Sequence, residues 1–272
     1  MYRLVSSLLL LVSCAAAGIL PLETLDQGTA EAFEQYAAAY QNGPDAAFRN
    51  SHALLIDSKP ASFRKNLDAG RPVIEVLKGE NFDNGHLHHL YGAIHIKGVT
   101  AAEVRDTMQH YAKYSEYYKP DVAESKGEKL PGGTGAEEHF RVEMKLVQST
   151  LWIDVAFAAV YDTDYLRFSD HAFETISKST SIREYKDAHD LTKGLYSADD
   201  GHGFLWRMDT WWHARDRGDG VDLEITNMTL TRPVPFGFGW WATRKARGTL
   251  EGLLTRTREA VLAAHPVTDA AR

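Results

Sequence analysis

The sequence predicts an α+β fold in which a curved seven-stranded antiparallel sheet wraps around one long C-terminal helix, with an N-terminal helical extension. Three observations carry this. Strand-like alternation runs in series from about residue 122 to 232, a corner of prolines and glycines follows in Pro233-Val234-Pro235-Phe236-Gly237-Phe238-Gly239, and the chain then becomes one continuous helical pattern to Ala264. Helices stand at the ends of the strand run and do not alternate with strands, which argues against a parallel α/β arrangement. The corner is sharp because proline lacks an amide hydrogen and glycine reaches backbone angles closed to other residues.

The first element is an export signal. Arg3, the apolar run Leu4 to Val12, and the small residues Ser13 to Gly18 have the order of a secretory signal peptide over residues 1–17. That run is too short to span a bilayer, which takes about 20 apolar residues. Two cuts are open: ordinary cleavage after Ala17, or acylation of Cys14 in the lipobox-like Leu11-Val12-Ser13-Cys14. Cys14 is the single cysteine, so no disulfide supports the fold. The expected localisation is periplasmic, extracellular or lipid-anchored in a bacterial envelope.

Residues 18–80 form the extension. Thr29 to Tyr40 is rich in helix formers, with Phe33, Tyr36 and Tyr40 on one face and Thr29 as its cap. Asn42-Gly43-Pro44 should stop it. Ala61 to Leu67 gives a second short helix ending at Gly70, and Pro72 to Leu77 reads as an edge strand.

The main body spans residues 81–266, with a disordered tail expected at 267–272. It opens with the strand His86 to Lys97 and a helix started by the capping box Thr100-Ala101-Ala102-Glu103. Strand patterns then cover 122–127, 138–147, 150–161, 167–180, 203–215 and 221–232, separated by turns such as Pro131-Gly132-Gly133 and Arg217-Gly218-Asp219-Gly220. The closing helix, 236–264, aligns Leu250, Leu254, Thr257 and Val261 on one face.

Composition narrows the function. With 44% apolar residues in 272, the chain has ample material for a core. The 30 basic residues against 37 acidic ones, a formal charge of −7, are the reverse of what phosphate contacts require, so nucleic acid is not an expected partner. No Gly-x-Ser-x-Gly elbow or phosphate loop occurs, and Gly237-Phe238-Gly239 lacks the third glycine and the βαβ unit of a dinucleotide site. His86 and His88 would share one side of a strand, but the other histidines are scattered with no ligand spacing, so no metal, cofactor or catalytic residue is assigned.

The order strand, helix, six antiparallel strands, long C-terminal helix resembles the START-like, or SRPBCC helix-grip, superfamily over about residues 86–264. The segments His88-His89-Leu90-Tyr91-Gly92, Tyr117 to Val122, Gly201 to Arg207, and Leu230 to Pro235 with Gly237-Phe238-Gly239-Trp240 resemble an exported bacterial subgroup of it. The resemblance implies an apolar cavity between sheet and C-terminal helix, used across the superfamily for lipids, sterols and polyketides and in some members for cyclase or oxygenase chemistry. It implies no catalytic position.

On that basis the expected activity is binding of a small hydrophobic ligand (lipid, fatty acid or polyketide-like) without transforming it. Alternation places Phe204, Trp206, Met208, Thr210 and Trp212 on one face of a strand, and groups Met144 and Phe157 with their own alternating neighbours. The candidate ligand-binding residues are Tyr91, Met144, Phe157, Trp206, Met208, Trp212, Trp240, Trp241, Leu250 and Leu254, with Arg244 for an anionic group. Cys14 is the candidate lipidation site and would bring the chain to a membrane surface. Two other readings stay open: an enzyme using cavity His or Asp side chains, and a structural envelope module with no ligand.

Overall fold

The computed structural model describes residues 21–77, 79–150, 153–233 and 239–266. The expected export signal with Cys14, the corner Val234 to Phe238 and the expected tail 267–272 lie outside the described residues. In chain order the elements are β1 (Glu23–Thr24), α1 (Gln27–Tyr40), α2 (Ala46–Ser51), α3 (Ala61–Asp68), β2 (Val73–Val76), β3 (Glu80–Asn81), β4 (His86–Lys97), α4 (Ala101–Met108), α5 (Tyr114–Tyr117), β5 (Val122–Leu130), β6 (Glu137–Thr150), β7 (Ile153–Ser169), β8 (Ala172–Glu184), β9 (Asp200–Gly201), β10 (Arg207–Arg217), β11 (Gly220–Thr231) and α6 (Gly239–Ala264).

The main sheet runs β2-β4-β11-β10-β8-β7-β6-β5 with every pairing antiparallel, and β3 also pairs with β4. It therefore has nine strands, not seven. The seven expected ones are all present, and β2 from the extension and β3 at its junction with the main body are the other two, covering the edge of β4 that would otherwise leave backbone groups unpaired. One strand, helices, six antiparallel strands and a long terminal helix make up the helix-grip arrangement.

Several local expectations need correction. Asp26, not Thr29, caps α1: its carboxylate accepts from the Thr29 amide at 2.7 Å. Asn42-Gly43-Pro44 does not end the helical path; the chain widens into a π turn at Gln41–Asp45, where proline's missing donor is tolerated, and continues as α2. No break separates residues 161 and 167. Thr163 and Tyr165 point inward and are buried, while Asp162 and Asp164 point outward to Arg141 and His139 on β6, so β7 runs on to Ser169. The strand expected from Gly203 starts at Arg207, since Gly201 and Gly203 take positive φ. Thr100 and Glu103 do form the capping box of α4, and Gly70 follows α3 with φ of 71°.

The sheet is covered on both sides. α6 lies on the concave face, where Leu250, Leu254, Thr257 and Val261 are buried, each apolar one of them contributing roughly 1.5–3 kcal/mol by burial. At Gly92 a side chain would meet Leu254 at 2.8 Å and Leu250 at 3.2 Å, so helix and sheet touch there. The extension covers the convex face. Phe33, Ala37 and Tyr40 of α1 pack on Leu87, Trp211, Met228 and Leu230, and Phe48, Leu54, Ile56 and Leu67 pack with Val73, Tyr91 and Ala93.

Charged groups are buried beneath the extension as well. Glu224 accepts from the Leu55 and Ile56 amides at 3.0 and 3.2 Å and from the Tyr91 hydroxyl at 2.9 Å. His213 lies between Glu224 at 3.3 Å and Asp45 at 2.8 Å, and Arg49 holds Asp45 and, by two nitrogens, Glu174. Burial alone would lower the His213 pKa, but the hydrogen bonds to Asp45 and Glu224 outweigh it and raise the value to about 9. Further along, Asp222 accepts from His95, Arg217 and Arg64. Those donors overcome its burial and hold its pKa at about 2.

Candidate functional site

Strand register resolves the concave face into rows. One row crosses Gly92, Ile225, Trp212, Thr175 and Tyr165. Every member from Ile225 to Tyr165 is buried, and beyond it Ile94, Leu223, Ala214 and Phe173 are buried too. Tyrosines from α4 to β5 close this end: the Tyr111 hydroxyl donates to Tyr165 at 3.2 Å, Tyr165 to the Met108 carbonyl at 3.1 Å, and Tyr118 meets Thr257 of α6 at 3.2 Å. This half of the interface is filled.

The next rows differ in kind. Leu90, Asn227, Thr210, Ser177 and Thr163 are in register, and after them His88, Thr229 and Met208. The Met208 amide donates to the Ser179 hydroxyl at 2.9 Å, and Ser179 pairs with Tyr161, so Tyr161 continues the second of these rows. His88, Thr229, Met208, Asn227, Thr210, Ser177 and Ser179 are only half-buried, as are Phe204 and Met144 packed beside them. The covering helix thins out in step: from Trp240 to Thr249 no described side chain of α6 is buried. The concave face is therefore closed at one end and partly open, with mixed polar and apolar lining, at the other.

Two groups set the chemistry of the open end. Tyr161 is buried, and its hydroxyl has no hydrogen-bond partner among the described residues. Burial raises its pKa, so it is a neutral O–H donor. His88 has its pKa lowered to about 4 by burial, with the neighbouring His86 adding repulsion. It is thus a neutral imidazole near pH 7, with Nε2 3.2 Å from the Thr231 hydroxyl. Both rows present uncharged donors and acceptors among apolar side chains.

The candidate residues separate. Met144, Phe157, Met208 and Trp212 lie on the concave face, and Leu250 and Leu254 face them from α6. Tyr91 and Trp206 do not join them. Tyr91 points to the convex side, where it donates to Glu224, and Trp206, which precedes β10, packs with Leu25, Phe33 and Trp211 under the extension. The shared face expected for Phe204, Trp206 and Met208 fails because the chain is not a strand before Arg207. Trp240 is 70% exposed and Arg244 is exposed. The side chain of Trp241 and all of Cys14 lie outside the described residues. Tyr161, Asn227 and Thr229 were not among the candidates, because only the pairing register puts them beside Met208.

Other features carry less. Two surface clefts of about 400 and 360 Å³, one lined by Glu23, Asp83, Asn84 and Arg232 and the other by Lys186, Tyr196 and Asp200 among others, lie away from α6. Asp45, Glu174 and His213 bring three ligand-type atoms within 4.8 Å of one another, but Arg49 already bridges both carboxylates, so a cation would have to displace a guanidinium. His86 and His88 do share a side, their ring centroids 4.4 Å apart.

No protein-family profile and no characterised protein sequence matches the chain. Solved structures resemble it at low identity. A STAR-related lipid transfer protein from Xanthomonas axonopodis is 18% identical, covering 69% of this chain and 98% of that one, with a TM-score of 0.45. Human STARD10 is 10% identical, covering 74% and 78%, with a TM-score of 0.43. A START superfamily protein from Mycobacterium smegmatis is 8% identical, covering 64% and 97%, with a TM-score of 0.41.

Proposed function

We propose that the chain binds a small, mainly apolar molecule carrying an uncharged hydrogen-bonding group, held against the open half of the concave face beneath the first turns of α6, and does not transform it. The observation that carries this is the Tyr161 hydroxyl, buried with no partner among the described residues in a row whose other members stay half-open. Such an orphan costs about 1–3 kcal/mol, which a ligand oxygen or nitrogen would relieve. Met144, Met208 and Phe204 would supply apolar contact, worth roughly 25 cal/mol per Å² removed from water. A charged ligand group would be disfavoured here, since His88 is neutral and no ionised side chain belongs to these rows.

The test is native mass spectrometry, with organic extraction, of protein purified from its own host. The expected result is a co-purifying apolar species, displaced when Met208→Trp fills the open rows. Protein that carries no such species and takes up none from a panel of neutral lipids would refute the reading. We also infer export directed by residues 1–17; the intact mass of the mature chain distinguishes an acylated Cys14 from a start at Gly18.

A further inference from the structure

The first half of α6 carries a surface that the concave groove does not use. Trp240, Arg244 and Arg247, spaced i, i+4 and i+7, form one stripe. Trp240 is 70% exposed, the most exposed large apolar side chain among the described residues, and both arginines are exposed. Lys245 sits alongside and reaches the Ser149 carbonyl at 3.2 Å. No acidic residue occurs between Gly239 and Leu250.

Later on the same helix the cations are engaged: Arg256 with Asp121, and Arg258 with the Gly70 carbonyl at 2.7 Å. Arg244 and Arg247 pair with no carboxylate among the described residues, although the chain has 37 acidic side chains. A local basic run of this kind inside a protein of formal charge −7 is segregated charge, not background neutralisation.

We propose that this stripe docks the protein onto an anionic lipid surface, with the Trp240 indole at headgroup level and the Arg244 and Arg247 guanidinium groups on phosphates. Tryptophan favours the membrane interface because one edge of its ring is polar and the rest apolar. The planar guanidinium fork matches phosphate oxygens in pairs. An acidic protein partner fits less well. Among the described residues the exposed face around Trp240 offers Thr243, Gly248 and Thr249, which do not build the water-excluding ring that a protein–protein hot spot needs. With Trp240 the single large apolar side chain exposed there among the described residues, attachment is peripheral and salt-sensitive, and it does not depend on whether a ligand fills the groove.

The experiment is co-sedimentation of the full chain with vesicles of phosphatidylcholine alone and of phosphatidylcholine mixed with phosphatidylglycerol, at low and high salt. The readout is the difference between the two vesicle types, since an acylated Cys14 would raise binding to both alike. Wild type is expected to prefer the anionic vesicles at low salt only. Each basic residue near such a surface contributes about 1 kcal/mol, so the double variant R244Q/R247Q should bind the anionic vesicles about 30-fold more weakly. Trp240→Ala should weaken binding to a smaller degree, and all variants should keep the wild-type melting temperature because the substituted side chains are exposed. Equal binding of wild type to both vesicle types, or undiminished binding by R244Q/R247Q, would overturn the proposal, as would anionic binding that persists at high salt.

Discussion

The two faces of the sheet are buried by opposite means. On the convex face the extension is fastened by charge: Glu224, His213, Asp45, Arg49 and Glu174 are linked side chain to side chain. On the concave face α6 is fastened by apolar contact at one end and barely covers the other. A buried ionic layer tolerates little, because removing one partner strands another in a low-dielectric interior. An apolar layer with an open end tolerates exchange of what fills it. The contrast puts the interlocked charged contacts on the convex side and the half-exposed rows on the concave side.

The strongest way to break this comparison is to remove the centre of the charged layer. Glu224→Ala would strand two backbone amides, the Tyr91 hydroxyl and the protonated His213, and should cost about 3–5 kcal/mol in urea unfolding. Met208→Ala, half-buried at the open end, should cost under about 1.5 kcal/mol because its surroundings are already partly solvated. If the two losses were equal, the faces would not differ as described.

A second substitution compares the two ends of the concave face. Gly92→Ala places a methyl 2.8 Å from the Leu254 side chain and 3.0 Å from Ile74, where α6 presses on β4. Overpacking of this sort costs about 1–3 kcal/mol. Thr229→Val, on the neighbouring strand two rows toward the open end, changes shape little and should stay within about 0.5 kcal/mol. A neutral Gly92→Ala would mean that the helix can lift at its closed end too.

Acidity separates the faces without mutation. His213 on the convex side has its pKa raised from 6.5 to about 9, so folding binds a proton more tightly there. Its contribution is complete below pH 6.5 and disappears as pH rises through 9, on the order of 3 kcal/mol. His88 on the concave side has its pKa lowered to about 4, and the sign reverses: stability falls as pH drops from 6.5 toward 4. Melting temperatures against pH should therefore decline at both extremes, and His213→Gln should flatten the alkaline limb while leaving the acid limb in place. An unchanged alkaline limb in that variant would remove His213 as its source.

Sequence reading reached features whose cause is local. The Thr100–Glu103 capping box, the glycine after α3 and the buried stripe Leu250, Leu254, Thr257 and Val261 each follow from residues within a few positions of one another. What escaped was pairing. β2 and β3 join the sheet only because β4 has a free edge, and Asp162 and Asp164 read as a turn until β6 supplies Arg141 and His139 opposite them. Tyr91 and Trp206 were put on the wrong side for a related reason. Alternation reveals a face only when the other face is polar, and here residues of both parities on β4 are buried, so the pattern has no outward side to read.

Tyr161 is the most direct probe of the proposed guest site, and its expected effect is the smallest. Removing a hydroxyl normally loses a hydrogen bond worth about 1 kcal/mol, but this one has no partner among the described residues, so Tyr161→Phe should leave the ligand-free protein unchanged or up to about 1 kcal/mol more stable. In the presence of the co-purified ligand the sign should invert, because the variant lacks the donor that a ligand oxygen or nitrogen would accept from. The measurement is thermal unfolding of wild type and variant, each delipidated and then reloaded, with the ligand-induced shift as the quantity compared. A variant destabilised to the same extent in both states would mean that the hydroxyl is satisfied within the protein. The polar centre of the open rows would then have to be sought at Asn227 and Thr210, which stand in register on the adjacent strands.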